Sequence, residues 1–228
     1  MFRLAFVPVP GTGLVLDGRG SPRFLAACPA AAMYLVVNHA GVGSAFWDVS
    51  GGLAWELPRC LGPVAGWGAT SFAVACEEGI LIVDAHTGRV IRTVAAPLNR
   101  PTSMEILSDH AVLTCDDEEE PLLVALGNTP PPVVASWASV CPVPLACVGS
   151  RLLALSSPNF SWASVDFNIV LACPARADLL LAFLQTGQQV ASEMLPDRPA
   201  TACVHSGMVV VLLDTRPWTL LKYRLISE

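Results

Sequence analysis

The sequence predicts an all-β protein built from about five copies of a four-stranded unit. Three observations point there. Short apolar runs of strand length recur along the whole chain, small Gly-containing turns recur between them, and proline falls mainly outside them. Of the 228 residues 19 are proline, and Pro58, Pro63, Pro97, Pro101, Pro121, Pro130, Pro131, Pro132, Pro142, Pro144, Pro196 and Pro199 all sit between runs. Proline cannot donate to a β-ladder, so inner strands exclude it. No long segment has a helical apolar period. The one ambiguous stretch, 178–195, is rich in Leu and Ala, but Thr186-Gly187 divides it as a hairpin would.

The elements follow in order. "FRLAFVP" (2–8) is a strand standing before the first unit, and "GTG" (11–13) is a turn. Each unit then has four short strands, a to d. Strand a is weak and small: "FLAACPA", "VAGWGA", "TSMEIL", "PLACVG" and "ATACVH". Strand b is almost wholly apolar, as a strand buried on both faces should be: "AMYLVVNH", "SFAVACEE", "HAVLTCDD", "RLLALSS" and "GMVVVLLD". Strand c ends at Asp or a small polar turn, and strand d is more polar. The clearest c–d pair is "GILIVDAHTGRVIRTV" (79–94). With Gly52, Gly88, Pro130 and Gly187 as equivalent turn positions, the intervals are 36, 42 and 57 residues (88 − 52, 130 − 88, 187 − 130). The first two suit a propeller blade of about 40 residues. The third is long because 157–175 reads as an insertion within the fourth blade. The remains of a sixth blade are the alternative for that segment. A single meander cannot hide both faces, whereas a ring of them can. The expected architecture is therefore a single β-propeller domain over 1–228, with "FRLAFVP" closing the ring as strand d beside "WTLLKYRLISE" (218–228), or with a partner completing it. Closure would remove two exposed edges at once.

Two places carry a family resemblance. Trp47-Asp48 closes strand c of the first unit, and Val83-Asp84 followed by Thr87-Gly88 does so in the second. On these residues the chain resembles the WD-repeat and quinoprotein-like families of β-propellers. That resemblance implies a ring of blades and a role in protein interaction. The Gly-His dipeptide that opens a WD repeat is missing and the third and fourth units lack the strand-c Asp, so no family site residue carries over.

Composition narrows the function. Hydrophobic residues make up 53% and charged residues 14%, against about 25% charged in average soluble domains. Much of the chain must be buried, in its own core or against partners. The net charge is −6 and no Lys/Arg cluster exists, which disfavours nucleic acid. No apolar run reaches the roughly 18 residues of a membrane span. The eight cysteines form no CxxC and mostly lie inside apolar strands. They read as buried thiols in a reduced, intracellular protein, and no secretory signal is read in the first residues, so the cytoplasm is the expected compartment.

Little chemistry clusters. His39, His86, His110 and His205 are far apart, without metal-ligand spacing. No GxSxG elbow and no phosphate loop occur. No catalytic, cofactor-binding or metal residue is expected. The sharpest local features are the run Asp116, Asp117, Glu118, Glu119, Glu120, and the aromatics Phe160, Trp162 and Phe167 on the inserted segment. The run reads as a solvated tip or a docking patch for a basic partner. The aromatics read as partner anchors, because inserted loops on a rigid scaffold tend to carry function. The expectation is a non-enzymatic scaffold or subunit of a larger assembly whose partners are other proteins. The alternative is a ligand-binding or enzymatic propeller that uses the central channel.

Overall fold

The structure is a computed structural model. It describes residues 4–10, 12–60, 62–115, 121–137, 141–148, 151–155, 157, 159–166, 169–205 and 207–227. The strands come in chain order. β1 is Leu4–Pro8 and β2 is Leu14–Leu16. Sheet I follows with β3 (Pro22–Cys28), β4 (Met33–Asn38), β5 (Val42–Trp47) and β6 (Leu53–Pro58). Sheet II has β7 (Val64–Trp67), β8 (Ser71–Cys76), β9 (Gly79–Asp84) and β10 (Val90–Ala95). Sheet III has β11 (Pro101–Leu107), β12 (His110–Cys115) and β13 (Leu122–Ala125). Sheet IV has β14 (Val134–Trp137), β15 (Leu145–Val148) and β16 (Arg151–Ala154). Sheet V has β17 (Phe160–Asp166), β18 (Ile169–Pro174), β19 (Leu179–Leu184) and β20 (Gln189–Met194). Sheet VI has β21 (Pro199–His205), β22 (Met208–Leu213) and β23 (Trp218–Ser227), with β1 beyond β23. Within each sheet, strands adjacent in sequence pair antiparallel; β1, also antiparallel, and β2 both pair with β23. The fold class is the β-propeller, as the sequence predicts.

The chain gathers into two compact units, 15–131 and 1–14 with 132–228. Residues 15–131 hold sheets I to III. Their second strands, β4, β8 and β12, are buried at all six positions. Burial on both faces explains why they are mostly apolar, the exceptions Asn38, Ser71, His110 and Thr114 being buried polar side chains. Phe72 and Val74 of β8, with Val83 of β9, join Met33 and Leu35 of sheet I in one core. Ala73 and Ala75, with Ile80 and Ile82, point the other way and join Leu113 and Leu126 of sheet III in another. Strand d has one face on water, and β10 accordingly has one half-buried residue among six.

Residues 1–14 and 132–228 hold sheets IV to VI, and the same logic holds. Leu171 and Cys173 of β18 face one core, Val170 and Ala172 the other. The N-terminal strand takes its predicted place. β1 pairs with β23 from Leu4↔Ser227 to Pro8↔Tyr223. Beyond it Val9 donates to the Lys222 carbonyl at 3.0 Å, and the Lys222 N–H donates to Thr12 Oγ1 at 3.0 Å. Chain start and chain end thus share sheet VI.

Three details depart from expectation. The segment 157–175 is not an insertion in a blade: it supplies β17 and β18, the first half of the four-stranded sheet V. The alternative of a separate blade is the one the pairing follows. β14, expected as strand d of the third unit, pairs with β15 in sheet IV instead. Strand a starts earlier than read, at Pro22, Pro101 and Pro199, each followed by a register shift against strand b. A missing N–H is tolerated at a strand's first residue and at a bulge.

Candidate functional site

The c–d hairpins of sheets I and II are built on one plan. In sheet I, Trp47 N–H donates to the Gly52 carbonyl at 3.0 Å and Gly51 N–H to Trp47 at 2.8 Å. In sheet II, Asp84 N–H donates to Arg89 at 2.9 Å and Gly88 N–H to Asp84 at 2.9 Å. Gly51 and Gly88 take φ of 68° and 69°, in the left-handed region that a side chain opposes. Gly51 is therefore the equivalent of Gly88, one residue before the position read from the sequence. Asp84 adds a lock in sheet II: one carboxylate oxygen accepts from the Thr87 N–H and the Thr87 hydroxyl, both at 2.8 Å. The Thr87 hydroxyl bond, ahead of the Thr87 N–H, holds the Asp84 carboxyl below its ordinary range.

The two hairpins interlock. The Trp55 indole of β6 donates to the Ala85 carbonyl at 2.7 Å. Gly88 lies so close to the same indole that a Cβ there would stand 2.7 Å from it. Trp47 stacks on His86, ring centroids 6.0 Å apart and 25° between planes. Around this junction apolar side chains face water. Val49 is 89% exposed, Ile91 59%, Leu53 49%, Val90 40% and Trp47 39%. They are half of the ten large apolar side chains exposed among the described residues. Such a grouping marks an interaction surface more often than a chance exposure.

Of the residues singled out in the sequence, Phe160 and Trp162 lie within the described residues. Phe160 is half-buried on sheet V, packed on a core that includes Cys141, Val143 and Phe183. Trp162 packs on the other core, with Leu171 and Cys173. The register shift between them in β17 sends them to opposite faces. Phe160 and Trp162 thus rest on different cores, each with part of its surface exposed. Phe167 and Asp116, Asp117, Glu118, Glu119 and Glu120 lie outside the described residues. The hairpin surface was missed because it joins residues some forty positions apart, and only the exposed Val90-Ile91 signalled it locally.

Titratable groups are otherwise spread out. No group of three or more His, Cys, Asp or Glu among the described residues could hold a metal. His110 is buried, its Nδ1 3.5 Å from Thr129 Oγ1. Burial pushes the Cys60 thiol up to about 11 and the Cys173 thiol up to about 12, which suits small core hydrophobes and not nucleophiles. Among the described residues no helix is long and apolar enough to cross a membrane.

Sheets of this connectivity, with both chain ends in one of them, define the β-propeller class. Solved structures of that class are similar to the chain. A glutaminyl cyclase from Myxococcus xanthus aligns over 100% of this chain and 99% of its own, at 10% identity and a TM-score of 0.58. Hsv2 from Kluyveromyces lactis aligns over 85% and 72%, at 11% identity and TM-score 0.50. BamB from Moraxella catarrhalis aligns over 85% and 67%, at 12% identity and TM-score 0.45. At these identities the likeness is one of fold. No family model and no curated protein matches the sequence.

Proposed function

We propose that the chain is a non-catalytic β-propeller that serves as a protein-interaction scaffold or subunit of a larger assembly. One observation carries this reading: Trp47, Val49, Leu53, Val90 and Ile91 stand exposed on two interlocked hairpins. A surface whose geometry is fixed by glycine turns and by the Trp55 hydrogen bond loses little conformational entropy on docking, so its apolar area counts toward affinity. The low charged content supports the same reading, because a partner would cover area that charge would otherwise solvate. Trp47 is the expected hot spot, since tryptophan is enriched among the residues that dominate interfaces.

The test is the native mass of the tagged chain in extract of its own cells, by size exclusion with light scattering. Wild type should elute well above 24.0 kDa. The double variant Val49→Asp, Ile91→Asp should elute near monomer mass with an unchanged circular-dichroism spectrum. Wild type at monomer mass, or a variant that keeps the high mass, removes the proposal.

A further inference from the structure

The outer strands of sheets I, II and V share one irregularity. In each, the pairing with the third strand passes over one residue: Ala54, Ile91 and Val190. Each lies three positions after the glycine of its turn, Gly51, Gly88 and Gly187 (54 − 51, 91 − 88, 190 − 187). A bulge of this kind turns an extra side chain out of the strand's alternation. In sheets I and V that side chain is covered. Ala54 packs on the core that sheets I and II share. Val190 is 8% exposed and shares a core with Phe6 of β1, the strand packed against β20. In sheet II the side chain is bulkier than either, yet Ile91 stands 59% exposed with Val90 exposed beside it. The position that β1 closes over in sheet V is thus open in sheet II.

The same surface carries a side chain fit to cover that position. Of the ten large apolar side chains exposed among the described residues one is aromatic, Trp47. Within one copy its ring is held on His86, and Ile91 stays open to water. The two turns also carry charges of opposite sign. Asp48 follows Trp47 on the sheet I turn, and the exposed Arg89 precedes Val90 on the sheet II turn. The other carboxylate there, Asp84, is turned back on Thr87 by two hydrogen bonds. We infer that a second copy of this chain occupies the surface, in a two-fold dimer that sets Trp47 of each copy on Ile91 of the other. In a two-fold contact, if one residue meets another, the reverse pair forms as well. The sheet I turn of each copy then lies on the sheet II turn of the other, and Asp48 faces Arg89 twice over. Apolar and charged features are satisfied by one arrangement. The tryptophans supply the affinity, and the charges set register and choice of partner. The inference rests on the reading of this surface as an interaction site and names its occupant.

The test is sedimentation of the purified chain alone across a concentration series. Wild type should pass from 24.0 kDa to twice that mass. Asp48→Arg and Arg89→Asp should each weaken the dimer about tenfold or more, because each sets like charges face to face. An equimolar mixture of the two single variants should recover the dimer, since each supplies the charge the other lacks. The double variant D48R/R89D should recover it as well. Circular dichroism checks that each variant keeps its β spectrum. A wild type that stays at 24.0 kDa overturns the inference. If the tagged chain nevertheless elutes at high mass from cell extract, the interaction reading survives that result and the occupant is another protein. A dimer that either single variant leaves intact overturns the inference too, as does a mixture that stays monomeric. Should a charge variant unfold, Trp47→Ala decides instead: it should weaken the dimer about tenfold or more, and an unchanged dimer overturns the inference.

Discussion

Sheets II and III are consecutive in the chain and share a core, yet among the described residues one has four strands and the other three. The difference lies in the turn after strand c. In sheet II that turn is Asp84 to Arg89, with a carboxylate to accept the Thr87 N–H and a glycine at φ 69° to reverse the chain. The reversal sends β10 back along β9. In sheet III the equivalent residues run Leu126-Gly127-Asn128-Thr129 into three prolines. Leu126 and Gly127 both donate to the Asp109 carbonyl, at 2.6 and 3.0 Å. The turn is thus tied back to the β11–β12 loop, and among the described residues no outer strand pairs with β13. A blade's fourth strand depends on a few turn residues more than on the composition of the strand itself.

The largest expected effect comes from breaking the better-closed sheet. Phe72 of β8 is fully buried and meets the Trp55 ring edge-on, centroids 6.4 Å apart. Phe72→Ala should cost about 3–5 kcal/mol in urea unfolding. Val124→Ala on β13 removes two methyl groups at a sheet edge and should cost about 1–2 kcal/mol. Equal costs would mean that the missing fourth strand does not loosen sheet III.

Gly88→Ala comes next. It forces a side chain into the left-handed region and toward the Trp55 indole. A cost of about 2 kcal/mol is expected, with a shift in Trp55 fluorescence as the Ala85 hydrogen bond lengthens. A neutral variant would mean the hairpins of sheets I and II are not interlocked in solution. Arg92→Ala, which removes the contact with Trp67 and the bond to Leu126, should cost about 1 kcal/mol. Arg92→Lys should restore only part of it, since lysine cannot lie flat on the ring.

How far the sequence was legible follows from the range of each interaction. The Asp84-to-Gly88 turn was readable because its acceptor, donor and glycine lie within five residues. Strand b was readable because alternation between two cores makes most positions apolar. The pairing of β1 with β23 was readable because an odd strand at each end suggested its own solution. Sheets III to V were harder. Strand-length apolar runs look alike whichever partner they take, so β14 was assigned to the third unit while it pairs with β15. The long interval before Gly187 pointed to extra chain there, but only pairing makes β17 and β18 half of a sheet. Phe160 and Trp162 were grouped because both lie on the segment read as inserted, and their two-position spacing would set them on one face of a strand. The bulge in β17 inverts that period, and nothing in "NFSWAS" announces it. The surface around Trp47 depended on stacking against His86, a contact between hairpins that no local pattern encodes.

The smallest expected effect tests the turn chemistry that separates the two sheets. The Asp84 carboxylate accepts two hydrogen bonds from Thr87, and its folded pKa lies below the ordinary aspartate value. A carboxyl depressed on folding stabilises the protein above its unfolded pKa, near 3.9 in free peptides, and that contribution is lost as pH falls through the lower folded value. Asp84→Asn keeps an acceptor oxygen but removes the charge. The thermal midpoint of wild type should therefore exceed that of Asp84→Asn slightly at pH 7. The gap should close as the pH drops through and below the ordinary aspartate range. Because the carboxylate is open to water and screened, the gap should also shrink in high salt. A gap that persists unchanged at low pH would assign the turn's stability to its neutral hydrogen bonds. Gly88 would then be the residue that separates sheet II from sheet III, and Asp84 only a refinement of it.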